Sequence, residues 1–138
     1  MYKSILLAAD GSEYSLRAAK EALNFTGTHT VITILNVLET EATKYDFLHR
    51  KPGEKQLREL RLKPIQSTID FFEENNVNYE VRLEQGNPTK KVVNIANEGT
   101  YDAIVIGSRG LNAFQEMMLG SVSHKVAKKA EIPVIIVK

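Results

Sequence analysis

Residues 104–123 read IVIGSRGLNAFQEMMLGSVS. An apolar run enters Gly107, a second glycine stands at Gly110, and after nine further residues Gly120 is followed at once by Ser121. Three of the chain's eight glycines, with hydroxyls beside two of them, fall in this one segment. The apolar run reads as a buried strand. Beyond Gly120 the positions Val122, Val126 and Ala130 step by four, so a helix begins at the third glycine. Strand, glycine loop and helix start together make one side of a crossover unit, and the remaining chain repeats the alternation.

Residues 4–9, SILLAA, 31–37, VITILNV, 102–106, DAIVI, and 133–137, PVIIV, are nearly continuous apolar runs, as expected of strands buried on both faces. Residues 77–83, VNYEVRL, alternate instead, placing Val77, Tyr79, Val81 and Leu83 on one face, which suits an edge or half-exposed strand. Helical spacing links Leu16, Ala19 and Leu23, and a longer stripe runs through Leu57, Leu60, Ile65, Ile69 and Phe72, with Pro64 placed to kink it. Ser12 reads as the cap of the first helix, Asn87 with Pro88 as N-cap and N1 of the third, and Gly99 as its stop. The order is β-α-β-α-β-α-β-α-β. Strict alternation predicts an α/β fold: an open, doubly wound, five-stranded parallel sheet with helices on both faces, Rossmann-like, joined by right-handed crossovers. Only 39–53, ETEATKYDFLHRKPG, lacks a clear period.

At 138 residues the chain is the size of a single domain, 1–138, able to bury roughly 70% of its unfolded surface. Eighteen Lys and Arg against 17 Asp and Glu leave a formal charge of +1, which gives no general attraction to nucleic acid or acidic lipid. The absence of cysteine excludes disulfides, thiolate metal sites and cysteine nucleophiles. The apolar run before Asp10 is too short for a signal core or a membrane span, so a soluble cytoplasmic protein is expected.

In an open parallel sheet, ligands bind beyond the carboxyl ends of the strands, where the strand order reverses. Asp10-Gly11-Ser12 follows the first strand, Val37-Leu38-Glu39 the second, and Gly107-Ser108-Arg109-Gly110 the fourth. The last leads to Gly120-Ser121 at a helix N-terminus, where unpaired N–H groups and the helix dipole favour an anion. Ser108, Ser121 and Ser123 carry hydroxyl donors and Arg109 a charge. On spacing alone two readings stand, a phosphate cradle or glycines that merely turn the chain. Neither a P-loop nor the dinucleotide fingerprint is present. Asp10 and Ser12 also fit as turn and cap residues, Arg109 as a solvated charge, and Met117, Met118 and Leu119 as packing or dimer-contact residues. His29, His49 and His124 are scattered without metal-ligand spacing.

The spacing Gly107-xx-Gly110-x9-Gly120-Ser121, with Asp10 after the first strand and a terminal PVIIV strand, resembles the nucleotide-binding branch of the universal stress protein family. The resemblance covers the chain from YKSILLAADGSEYS to its last strand. It implies an ATP-binding regulatory protein of the stress response, usually a homodimer whose C-terminal strands meet. By the same resemblance Gly107, Gly110, Gly120 and Ser121 hold the triphosphate, with Ser108, Arg109, Val122 and Ser123 as neighbours. Asp10 matches the acidic residue near ribose and phosphates, where it helps place Mg²⁺ or Mn²⁺, and Val37 matches a backbone contact to adenine.

A catalytic role finds little support. Ser121 or Ser123 with His124 on one helical turn makes a poor triad, no GxSxG elbow occurs, and phosphoryl transfer needs more carboxylates than Asp10. A nucleotide sensor that an unknown protein partner reads is therefore expected, not an enzyme. The alternatives are a dimeric scaffold with structural or no nucleotide, and a phosphorylated receiver. The receiver is disfavoured because the third strand ends in Leu83-Glu84-Gln85-Gly86, without the accepting Asp.

Overall fold

A computed structural model describes residues 1–39, 53–111 and 119–138. Its elements are β1 (Tyr2–Ala8), α1 (Glu13–Ala22), β2 (Thr26–Leu38), α2 (Glu54–Leu62), α3 (Gln66–Glu74), β3 (Tyr79–Gln85), α4 (Pro88–Ala96), β4 (Ala103–Gly107), α5 (Ser121–Lys129) and β5 (Val134–Val137). All strands are parallel, in the order β3-β2-β1-β4-β5. The expected doubly wound sheet is the observed fold.

The apolar runs of β1, β2 and β4 arise because helices cover both sheet faces. On one face Ala18, Ala19 and Ala22 of α1, with Ile65 and Phe72, pack against Ile5, Leu7, Ile32, Ile34 and Val105. On the other, Val92, Ile95 and Ala96 of α4 and Val126 of α5 cover Leu6, Leu35, Ile104 and Ile106. Neighbouring residues of one strand thus serve opposite cores, as pleating requires.

Caps fall where the sequence places them. Ser12 Oγ accepts from Ser15 N at 3.1 Å, Asn87 Oδ1 accepts from Lys90 N at 3.1 Å, and Gly99 follows α4 with φ +90°. Two expectations are corrected. The stripe from Leu57 to Phe72 is not one helix: a 3₁₀ turn at Lys63–Ile65, containing Pro64, separates α2 from α3. The run 133–137 is not buried on both faces, because β5 is an edge strand whose residues are all only partly covered. β3 is the other edge, and Tyr79, Val81 and Leu83 pack on the α1 and α3 face as their alternation implies. Readings placed on 40–52 and on Met117 and Met118 fall outside the described residues. Among the described residues no helix is long and apolar enough to cross a membrane.

Candidate functional site

From β1 the chain winds outward through β2 and β3, then returns to add β4 and β5 on the other side. The reversal lies between β1 and β4, so their carboxyl ends border the crevice. Asp10 stands two residues beyond β1, and Gly107 ends β4. The structure joins them: Asp10 Oδ1 accepts from Ser12 N at 2.9 Å, and Asp10 Oδ2 accepts from Leu111 N at 3.1 Å. One carboxylate therefore bridges the loops after β1 and β4.

Close approach, not an unusual dihedral, explains the three glycines, since none is among the residues of positive φ. A Cβ on Gly107 would sit 2.8 Å from the carbonyl carbon and oxygen of Tyr14 in the first turn of α1. One on Gly110 would lie 2.7 Å from Asp10 Oδ2, and one on Gly120 would lie 3.3 Å from Arg109 Cα. Gly107 thus lets α1 approach β4, while Gly110 leaves the backbone bare beside the carboxylate.

The loop after β4 is held by its own backbone. Ser108 N donates to Val137 O at 2.7 Å, and Ser108 O accepts from Gly120 N at 2.7 Å. Ser123 Oγ also donates to Ser108 O, at 2.8 Å, and lies 3.1 Å from Gly120 O. The buried Ser123 hydroxyl is therefore committed to main-chain carbonyls. Gly120 caps α5 with extended backbone, and the first intrahelical bond runs from His124 N to Gly120 O at 3.0 Å. The N–H groups of Ser121, Val122 and Ser123 precede that bond and form the open N-terminus of a nine-residue helix. Arg109 lies with its guanidinium carbon 6.0 Å from the Tyr14 ring centroid.

Val37 lies near the carboxyl end of β2, its side chain in the α4 and α5 core. Leu35 O turns toward β1, accepting from Ala9 N at 2.9 Å, whereas Leu38 O accepts from Gly86 N on the β3 side. Strand alternation then directs Val37 N–H and C=O toward β1, past the point where β1 ends. Here the ladder departs from regularity. Among the described residues Ala9 O accepts from Asn36 Nδ2 at 2.8 Å, and the ladder bond from Val37 N–H to Ala9 O is not made.

Asn36 and Arg61 are residues that sequence reasoning missed. Arg61, in the last turn of α2, donates from Nη1 to Asn36 Oδ1 at 3.4 Å and from Nη2 to Glu84 O at 3.2 Å. Burial lowers the pKa of its guanidinium. The available signal was an amide inside the apolar run VITILNV, buried in the structure at 5% exposure. Among the described residues no group of three or more His, Asp or Glu is placed to hold a metal.

The structure thus brings Asp10, Gly107, Ser108, Arg109, Gly110, Gly120, Ser121, Val122 and Ser123 to one crevice mouth, with Val37 at the adjacent strand end. Comparison with known proteins identifies the family. The model of the universal stress protein family matches residues 1–138. The chain is 30% identical over 150 residues to the universal stress protein YxiE of Bacillus subtilis, covering 100% of both chains. It is 31% identical over 155 residues to the universal stress protein MJ0577 of Methanocaldococcus jannaschii, covering 100% of this chain and 96% of the relative. The solved MJ0577 structure superposes with a TM-score of 0.82 at 28% identity, covering 100% and 96%. An Arabidopsis thaliana protein of this family, solved with AMP bound, gives a TM-score of 0.68 at 21% identity, covering 99% and 91%. A universal stress protein in complex with cAMP gives 0.74 at 21%, covering 99% and 97%.

Proposed function

Because the chain belongs to the universal stress protein family, we propose that it is a regulatory adenine-nucleotide-binding protein, with ATP as ligand and a protein partner reading its bound state. The observation that carries this reading is the meeting of Asp10, the bare Gly110 backbone and the open N-terminus of α5 at the sheet's reversal point. Such a mouth suits a polyphosphate, which needs converging N–H donors, with Gly110 letting the Asp10 carboxylate come close beside them. The AMP and cAMP complexes of two structural neighbours support an adenine nucleotide as the ligand.

In this reading the N–H groups of Ser121, Val122 and Ser123 and the backbone around Gly107, Ser108, Gly110 and Gly120 hold the phosphates. Arg109 adds charge. Asp10 faces ribose and phosphates and would hold a Mg²⁺ or Mn²⁺ ion, which would neutralise phosphate charge. Val37 offers adenine a backbone donor and acceptor, which suits a base edge carrying an N–H₂ donor beside a ring-nitrogen acceptor. Guanine presents the reverse order there, so ATP should be preferred over GTP. With Asp10 as the carboxylate bridging these loops, binding with at most slow hydrolysis follows. Pairing of two copies through the open edge of β5 gives the expected homodimer.

Calorimetric titration of nucleotide-free protein with ATP, AMP and GTP, each with Mg²⁺, tests the reading. Saturable binding that favours ATP, abolished by Gly110→Val with an unchanged circular dichroism spectrum, is the expected result. No binding by the unaltered protein would overturn it and leave the dimeric scaffold.

A further inference from the structure

We infer that Asn36 and Arg61 are positioning residues that keep the Val37 backbone open to the base, an inference that rests on the nucleotide reading above. In a regular parallel ladder, Ala9 would donate its N–H to Leu35 O and accept at its carbonyl from Val37 N–H. The first bond is present at 2.9 Å. The second is replaced: Asn36 Nδ2 occupies Ala9 O at 2.8 Å. The side chain of one β2 residue thereby does what the backbone of the next would do. The consequence is a satisfied Ala9 carbonyl beside a Val37 N–H that is available for a ligand.

An amide serves this purpose in only one of its two orientations, with nitrogen toward Ala9. Arg61 selects that orientation, because a guanidinium can only donate and its Nη1 faces the Asn36 oxygen at 3.4 Å. Its second arm, on Glu84 O at 3.2 Å, fixes the guanidinium to the end of β3. The turn that follows α2 also braces the same loop, since a Cβ on Gly11, next to Asp10, would lie 2.6 Å from Pro64 O. α2 therefore sets both the base-facing edge and the approach to Asp10, although no sequence motif marks it.

The relay makes predictions that separate it from a purely structural role. Asn36→Leu is neutral and keeps the same branched heavy-atom skeleton, and it lets Val37 N–H close the ladder onto Ala9 O. ATP affinity should fall up to about tenfold, the expected cost of losing the base hydrogen bond to Val37 N–H, and the preference for ATP over GTP should shrink. Amide hydrogen exchange supplies a readout without ligand: Val37 should exchange rapidly in the nucleotide-free protein, slow on ATP binding, and be slow without ATP in Asn36→Leu. Arg61→Met should reproduce the affinity loss, and Arg61→Met combined with Asn36→Leu should be no worse than Asn36→Leu alone. Arg61→Lys, which keeps the charge but not the fork, should fall with Arg61→Met.

Full affinity in Arg61→Lys would show that the two-armed hold on Asn36 and Glu84 is not needed, and additive losses in the double variant would show that Arg61 acts on the ligand by itself; either overturns the relay. A Val37 amide already protected in the nucleotide-free protein would do the same. Unaltered protein that binds ATP while both single variants bind equally well sinks the relay alone. Unaltered protein that binds no nucleotide sinks the relay together with the reading beneath it.

Discussion

Gly107 and Gly110 answer to different neighbours, so replacing each should have different consequences. Gly107→Ala drives a methyl against the Tyr14 main chain at 2.8 Å, and backbone cannot swing aside as a side chain does. It should cost about 1–3 kcal/mol of stability in urea unfolding, whatever it does to ligand binding. Ser12→Ala should cost about 1 kcal/mol by the same measurement, through loss of the bond to Ser15 N at 3.1 Å. The spacing of the three glycines was legible in the sequence, but the reason for it was not. Spacing along the chain cannot show that Asp10 meets the N–H of Leu111, 101 positions away, or that α1 lies against Gly107. Ser123 makes the same point: its hydroxyl reads as a ligand donor until the structure places Ser108 O within 2.8 Å.

Among the elements, α3 and β3 are tied at the sheet's edge by Tyr79, whose hydroxyl donates to Glu73 Oε1 at 2.6 Å. That hydrogen bond first, then burial and the negative charges of Glu73 and Asp70, push the phenol up to about 12. The folded value exceeds the unfolded one of about 10, so the stabilisation is complete below pH 10 and disappears as pH climbs through 12. Ultraviolet titration should show a tyrosine ionising near pH 12, and Glu73→Gln should bring it down. Periodicity identified β3 as an edge because alternation is a local property of a half-covered strand. It failed at Pro64, where the apolar stripe continues across a break: two helices on one surface can carry a shared stripe, so the pattern reports the common core and not the continuity of the backbone. The Asn36 exchange at the end of β2 was illegible for another reason. A ladder that stops one bond early leaves no compositional trace beyond one amide in an apolar run.

For the molecule as a whole, strict alternation of strand and helix decided a parallel doubly wound sheet before any contact was known, since each crossover must return over a face. The strand order was beyond such reasoning, because the apolar runs of β1, β2 and β4 are equally buried and do not say which lies central. The open edges follow from the order. Ile104 N donates to Pro133 O and Ser108 N to Val137 O, so Ile136 N–H points away from β4. Proline is tolerated at such an outward position of an edge strand. Ile136→Pro should therefore keep the fold and abolish a dimer built through β5, as read by sedimentation; a persisting dimer would place the contact elsewhere. A final consequence belongs to Ser108 O, the oxygen that receives both Gly120 N and Ser123 Oγ. It acts as a knot: the chain leaves the sheet and comes back to the same atom. Closure entropy grows only logarithmically, about 0.6 kcal/mol for each doubling of length. The excursion between these ends can therefore accept inserted residues, even a small foreign domain, while the strand and helix it joins keep their places.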